Sequence, residues 1–371
     1  MPTIHLVYPH GQRISCPDAI GRELGKRLRE RYAVRQYDWH DTRAIEPEDG
    51  DILLGHPHPA PWTIFQRSMN RTGWTRVLVL APFAPAYAVQ QAFEDRVIER
   101  ADRFLAITGN YWYATAGRSL FAHWLPKMVH VDLAVDRADF PPLKVCFNEP
   151  GKRRFIYIGG ISPVKNTPYL SELARRMPET EFAWIGGAAG QTIAGLRALG
   201  FQDFRDGSAR QLVAGFDFLI TVGTSDANPT TILEAMAWGL IPICTPQSGY
   251  AKFAGIPNIP LDDPASAEQV LRKLQTAPES ELRRLQIVNW SLLDEHFNWD
   301  RFAAQIIDAI ESRATRTDRA ASFVQQLRIR YATLRSVVYF RHLYISAAYT
   351  LLWKQLRAHG IRGLTGGGDA D

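Results

Sequence analysis

Disulfide pairs, metal-binding motifs and long apolar runs are all lacking in this chain. Its three cysteines, Cys16, Cys146 and Cys244, are odd in number, far apart and without metal-ligand spacing. That excludes a disulfide framework and the common zinc motifs, and fits a reducing cytoplasm. The longest nearly uncharged apolar stretch, Ile345 to Trp353, falls far short of the roughly 20 residues of a spanning helix. The opening MPTIHLVYPHG carries no basic, apolar, small-residue leader, so no signal peptide is expected. Acids are scarce in one region. Between Ser312 and Arg362 ten basic residues accompany a single acid, Asp318, for a net +9. The whole chain is only +5, so residues 1–311 are close to neutral at −2. The pI near 9.1 therefore describes the tail.

What is present is an ordinary globular composition, 46% apolar and 22% charged over 371 residues, long enough for two domains. Short apolar runs alternate with helical patterns. Thr3–Tyr8, Val34–Tyr37, Ile52–Gly55, Arg76–Ala81 and Arg103–Thr108 read as strands, with helices over Pro17–Arg31 and Val89–Arg100. A Pro/Lys-rich stretch, Asp139 to Arg154, interrupts the pattern, which restarts with strands at Phe155, Glu181–Ile185, Phe216–Val222 and Leu240–Cys244. This alternation implies an α/β chain of two Rossmann-like, doubly wound domains facing a cleft, 1–149 and 150–297, with a helix over 298–311 bracing the first. Residues 312–371 form a helical extension. Ligands of wound sheets bind beyond the carboxyl ends of the strands, so loops after Ile158, Ile185 and Val222 should face loops after Val7 and Leu54.

Two loops of the second half carry the chemistry. In Gly159-Gly160-Ile161-Ser162-Pro163-Val164-Lys165-Asn166 a strand ends in two glycines, and a lysine follows just before a helix whose cap is expected at Thr167. Free N–H groups, the helix dipole and one ammonium favour an anion such as a diphosphate; a tight turn with a solvated lysine is the alternative. In Thr224-Ser225-Asp226-Ala227-Asn228-Pro229-Thr230-Thr231-Ile232-Leu233-Glu234, Asn228 suits the cap and Pro229 the first helical turn. Two acids, Asp226 and Glu234, flank that helix start, where either alone would read as a cap or a dipole-stabilising charge.

The string SDANPTTILEAMAWGLIPICT resembles the signature of the retaining, nucleotide-sugar-dependent GT-B glycosyltransferases, the glycosyl transferases group 1 family, in which an acid and a glutamate are separated by seven residues. IGGISPVKN is similar to that family's phosphate loop, and ADRFLAITGNYW and HVDLAVDRADF extend the resemblance over about 98–311. The resemblance implies that Glu234 accepts hydrogen bonds from the nucleotide ribose, for which a carboxylate is suited. Lys165 would neutralise the departing diphosphate, and Asp226 would hold hydroxyls of the transferred sugar. Gly159, Gly160 and the N–H groups of Asn228, Thr230, Thr231 and Ile232 would contact the donor; Pro229 has no N–H to offer. Gly11 would let the acceptor side approach.

This sequence departs from the family pattern in several places. The first acid is Asp226 where Glu is common, and Gly160 stands where an arginine usually accompanies the lysine, leaving Arg153 or Arg154 as substitutes. His56 and His58, in GHPHPAP, end a first-half strand and are read either as cleft residues or as polar turn histidines. Asp49-Gly50-Asp51 precedes a strand and is read as a turn. No metal signature remains, so metal-independent chemistry without a cofactor is expected.

In the tail, Val324, Leu327, Tyr331, Leu334 and Val338 form a stripe at helical spacing, flanked by Arg328, Arg330, Arg335 and Arg341. That suits an anionic membrane surface, with a helical hairpin packed on the body as the alternative. No reading motif accompanies the charge, so nucleic acid is not expected. The expectation is an EC 2.4 enzyme, cytoplasmic and peripheral on the inner membrane face. It would move sugar from a nucleoside diphosphate to an acceptor hydroxyl, with retention, on a lipid-linked saccharide in bacterial surface-polysaccharide or glycolipid assembly. The alternatives are a sugar-nucleotide epimerase of the same fold and a non-catalytic membrane-associated homologue.

Overall fold

The computed structural model describes residues 2–11, 15–60, 63–187, 190–312, 321–345 and 348–349. The alternating apolar runs become strands β1 (Thr3–Val7), β2 (Ala33–Tyr37), β3 (Ile52–Gly55), β4 (Arg76–Pro82), β5 (Arg103–Ile107) and β6 (Met128–Val131). They order as β2-β1-β3-β4-β5-β6. β1 pairs in parallel with both β2 and β3. A second sheet holds β7 (Phe155–Ile158), β8 (Phe182–Ile185), β9 (Arg197–Ala198), β10 (Phe218–Thr221) and β11 (Ile241–Cys244) in the order β11-β10-β7-β8-β9, parallel throughout. Each strand of four or more residues in this second sheet is wholly buried, as expected of a parallel sheet covered on both faces.

The crossovers are helical. In the first half they are α1 (Cys16–Leu28), α2 (Ile64–Ser68), α3 (Ala88–Gln91), α4 (Asp95–Arg100) and α5 (Asn110–Thr115). In the second they are α6 (Thr167–Arg176), α7 (Gly207–Ala214) and α8 (Thr230–Trp238); after the last strand come α9 (Pro264–Thr276), α10 (Glu279–Glu295) and α11 (Trp299–Glu311). α12 (Phe323–Tyr339) follows. The single helix expected over Val89–Arg100 is broken by a 3-10 turn at Ala92–Glu94, where Thr333 Oγ1 and Ser336 Oγ of α12 donate to the carbonyls of Ala92 and Val89.

Two compact units result: the described parts of Met1–Ala81, Ala88–Phe104 and Ala314–Asp371 form one, and Pro82–Tyr87 with Leu105–Arg313 the other. In the second unit the rings of Phe182, Phe155 and Phe218 stack across β8, β7 and β10, with centroids 4.9 and 4.8 Å apart. α8 is buried nearly all round and stops at Gly239, whose φ of +87° suits a glycine cap. The segment between β6 and β7 is anchored by charge. Lys144 Nζ lies 2.8 Å from Asp217 Oδ1, with side-chain exposures of 3% and 0%.

In the first unit, α12 seats Ile329, Ala332 and Ser336 against α3 and the 3-10 turn, and Gln90 Nε2 donates to Tyr339 Oη at 2.7 Å. The stripe Val324, Leu327, Tyr331, Leu334 and Val338 lies on the exposed side, as do Arg328, Arg330, Arg335 and Arg341. Arg313, Arg316, Arg319, Trp353, Lys354, Arg357 and Arg362 lie outside the described residues. No helix among the described residues is long and apolar enough to cross a membrane.

Candidate functional site in the second unit

Strand order explains why two loops distant in sequence meet. From β7 the chain winds outward through β8 and β9, then returns to place β10 on the other side of β7. The winding reverses between β7 and β10, and at such a switch point the loops at the strand carboxyl ends diverge to leave room for a ligand. These are the loops of Lys165 and Asp226. Thr224 N–H donates to Val164 O at 2.8 Å, tying one to the other. The Lys165 ammonium forms an ion pair with the Asp226 carboxylate, both groups partly exposed.

The Lys165 loop is shaped by its neighbours. Trp184 Nε1 donates to Gly159 O, and Tyr157 Oη to Gly160 O, each at 2.8 Å. A Cβ on Gly159, at φ +157°, would come within 2.8 Å of the Tyr157 hydroxyl, whereas one on Gly160 would meet open space. Lys165 ends a short 3-10 turn, and Asn166, left-handed at φ 51°, caps α6. The cap thus falls one residue before Thr167, the expected position: left-handed Asn166 follows the 3-10 turn directly, and Thr167 is already helical.

The acid loop is braced from several directions. Trp112 Nε1 donates to Asp226 O at 2.8 Å, Asp226 N–H to Gln247 O at 3.0 Å, and Gly223 N–H to Ser248 Oγ at 3.1 Å. Asn228 does not cap α8. Its Oδ1 accepts from the Tyr250 hydroxyl at 2.9 Å, and Pro229 takes the cap position without any side-chain bond. The N–H groups of Thr230 and Thr231 thus start the helix without a side-chain acceptor at the cap, while that of Ile232 donates to Pro229 O at 3.2 Å. The buried Nδ2 of Asn228 has no protein partner. Trp112, Ser248 and Tyr250 carried no chemical pattern of their own, though Trp112 falls within the string GNYW.

Glu234 sits one turn into α8. Burial pushes its carboxyl up to about 7, against a hydrogen bond with Thr230 that pulls it down. A carboxyl at this value is half ionised near neutrality, and hydroxyl donors reaching it would favour the ionised form.

Neither Arg153 nor Arg154 reaches the Lys165 loop. Arg153 is buried, donating to Leu274 O at 2.7 Å and Asn148 O at 3.2 Å, and Arg154 pairs with Glu181 at 3.2 Å. Lys165 is therefore the charged side chain that this loop offers.

The first unit places the remaining candidates. Gly11 N–H donates to Asp18 Oδ1 at 2.8 Å, in the first turn of α1, whose cap is Ser15. His56 packs edge-on to Trp39 at 4.9 Å and Tyr8 at 5.9 Å, and burial with His58 alongside pushes it down to about 3. His58 N–H donates to His56 Nδ1 at 2.9 Å, so this pair is neutral and aromatic in character. Asp51 accepts from Thr3 N–H, Glu48 N–H and His5 Nε2, a structural duty at the foot of β3. Among the described residues no cluster of His, Cys, Asp or Glu could hold a metal ion.

Two wound parallel sheets, with the acid and lysine loops at the switch point of the second, define the GT-B architecture of glycosyltransferases. The chain is similar in fold to sucrose-phosphate synthase from Thermosynechococcus elongatus (TM-score 0.60, 13% identity, 84% of this chain and 98% of that one). It is likewise similar in fold to a glycosyltransferase from Rickettsia africae (0.57, 12%, 84% and 99%) and to Anabaena HepE in complex with UDP-glucose (0.55, 13%, 84% and 100%). No protein-family model and no curated protein matches the sequence.

Proposed function

We propose that the chain is a glycosyltransferase that moves a sugar from a nucleoside diphosphate to an acceptor hydroxyl, with retention at the anomeric carbon. The observation that carries this is the juxtaposition of Lys165 and Asp226 at the β7/β10 switch point, with Glu234 in the same helix start. A diphosphate arriving at Lys165 competes with Asp226 for the ammonium, releasing the carboxylate to accept sugar hydroxyls. As the glycosidic C–O bond breaks, negative charge grows on the leaving phosphate and Lys165 offsets it. Glu234 accepts the ribose hydroxyls. Retention rests on the sequence resemblance, with front-face attack assisted by the departing phosphate, which takes up the acceptor's proton.

A thermal-shift panel of nucleotide sugars across pH tests the assignment through Glu234. Its folded pKa lies above the unfolded 4.5, so the folded state binds the extra proton and stability falls as pH rises from about 4.5 through 7. Glu234→Gln removes that loss and is expected to stabilise the protein at pH 8 by at most about 3 kcal/mol, while donor-induced shifts disappear. Donor shifts that survive in both Glu234→Gln and Lys165→Ala would sink the site.

The acceptor is a lipid-linked saccharide at the cytoplasmic membrane face, as in bacterial surface-polysaccharide or glycolipid assembly. What supports this is α12, docked by one face while its apolar stripe and its arginines Arg328, Arg330 and Arg335 stay exposed, with exposed Arg341 following it. An apolar stripe flanked by arginines matches an anionic bilayer surface in both shape and charge. Deleting the tail would uncover Val89 and Ala92, so point changes are the cleaner test. Tyr331→Glu with Leu334→Glu should abolish flotation with vesicles rich in phosphatidylglycerol and leave the melting temperature unchanged. Equal flotation of both proteins would remove the membrane from the reading.

A further inference from the structure

A cavity of about 760 Å³ opens in the first unit, apart from the Lys165 loop and its chemistry. It lies over the edge strand β2, beneath the chain that runs on to β3, and four of its lining residues are arginines: Arg35, Arg43, Arg67 and Arg71. Two of these are already engaged. Arg67 Nη1 donates to Thr42 O at 2.6 Å, and Arg71 Nη2 pairs with Glu46 Oε1 at 3.1 Å. Arg35 and Arg43 make no hydrogen bond or ion pair among the described residues. Against the four guanidinium groups the lining sets two acids, Asp41 and Glu46.

The floor is polar and fixed. Asp51 accepts the Nε2 proton of His5 at 2.9 Å, so His5 Nδ1 is left to accept the Tyr37 hydroxyl at 3.0 Å. His5 is 1% exposed, and its ring stacks on Tyr37. The relay holds the phenol in place at the base of the arginine ring. A cavity of this volume is in the range of small-molecule sites, and planar guanidinium forks match phosphate oxygens in pairs.

We infer that this cavity binds a phosphomonoester or diphosphate group, gripped by Arg35 and Arg43 and seated on Tyr37. The inference is independent of the donor reading, which concerns the second unit.

Inorganic pyrophosphate is the probe, titrated calorimetrically into full-length Lys165→Ala protein so that the other anion site does not contribute. Binding is expected there, with Arg35→Ala plus Arg43→Ala weakening it about 100-fold, roughly tenfold for each guanidinium removed from the phosphate oxygens. Arg71→Ala should weaken it less, since Glu46 already occupies that guanidinium. Both critical arginines are exposed and unpaired among the described residues, so an unchanged melting temperature is the folding control.

Vesicles containing phosphatidic acid, compared with phosphatidylglycerol, separate the two sources of such a group. Arginine-dependent capture by phosphatidic acid alone, reversed by pyrophosphate, identifies a lipid headgroup. Pyrophosphate binding that phosphatidic acid does not displace identifies a soluble phosphorylated molecule. Pyrophosphate binding that is absent in the Lys165→Ala protein, or unchanged by the double arginine substitution, overturns the inference.

Discussion

Lys165→Ala is expected to lower the transfer rate by about 10²–10³ while leaving the fold intact. The magnitude follows from the loop's composition. Gly160 carries no side chain, Arg153 is buried against Leu274 and Asn148, and Arg154 pairs with Glu181, so no second cation of this loop shares the leaving-group charge. Arginine at 165 should restore only part of the rate, because its flat fork cannot reproduce the geometry of a compact ammonium on a flexible stem. The split between constants is informative. Charge that develops in the transition state makes kcat fall more than KM rises, whereas simple loss of donor grip would raise KM alone. A variant with wild-type kcat and kcat/KM would show that the Lys165–Asp226 pair is a structural clasp.

The second large effect is on stability. Asp217 is fully buried at the start of β10, where it accepts from Lys144 Nζ, Asn148 N–H, Asn148 Nδ2 and Arg154 N–H at 2.7–2.9 Å. Asp217→Ala would leave a buried ammonium without its counter-ion and strip the acceptor from three further donors. Breaking a buried pair in this way costs about 3–5 kcal/mol. For a unit of this size that corresponds to a fall of roughly 10 °C in Tm, read by calorimetry. Lys144→Met should cost less, since the carboxylate keeps its three N–H donors and the methionine fills the volume. Comparable losses in the two variants would show that the chain between β6 and β7 is held by packing rather than by this charge pair.

Much of the framework could be read from residue order alone. Four consecutive apolar residues before Gly159, and Phe218-Leu219-Ile220 with Val222 before the acid loop, suit strands buried on both faces, as in a wound parallel sheet. The bounds of α8 were legible because Pro229 and Gly239 punctuate it. The helix over Val89–Arg100 was not, because its 3-10 break coincides with carbonyls that accept hydroxyls from α12, some 240 residues away in sequence. Arg153 and Arg154 looked available for a phosphate because sequence does not show which cations a fold has already paired.

Composition and spacing by themselves determined the two wound halves, the lysine and acid loops and the basic amphipathic tail. These depend on local periodicity and on chemistry within a dozen residues. The tertiary structure alone decided that Lys165 meets Asp226, that Trp112, Ser248 and Tyr250 hold the acid loop, and that α12 turns its apolar stripe outward. Each of these depends on strand order and on contacts distant in sequence. An amphipathic pattern shows that a helix has two faces; only packing decides which one is covered.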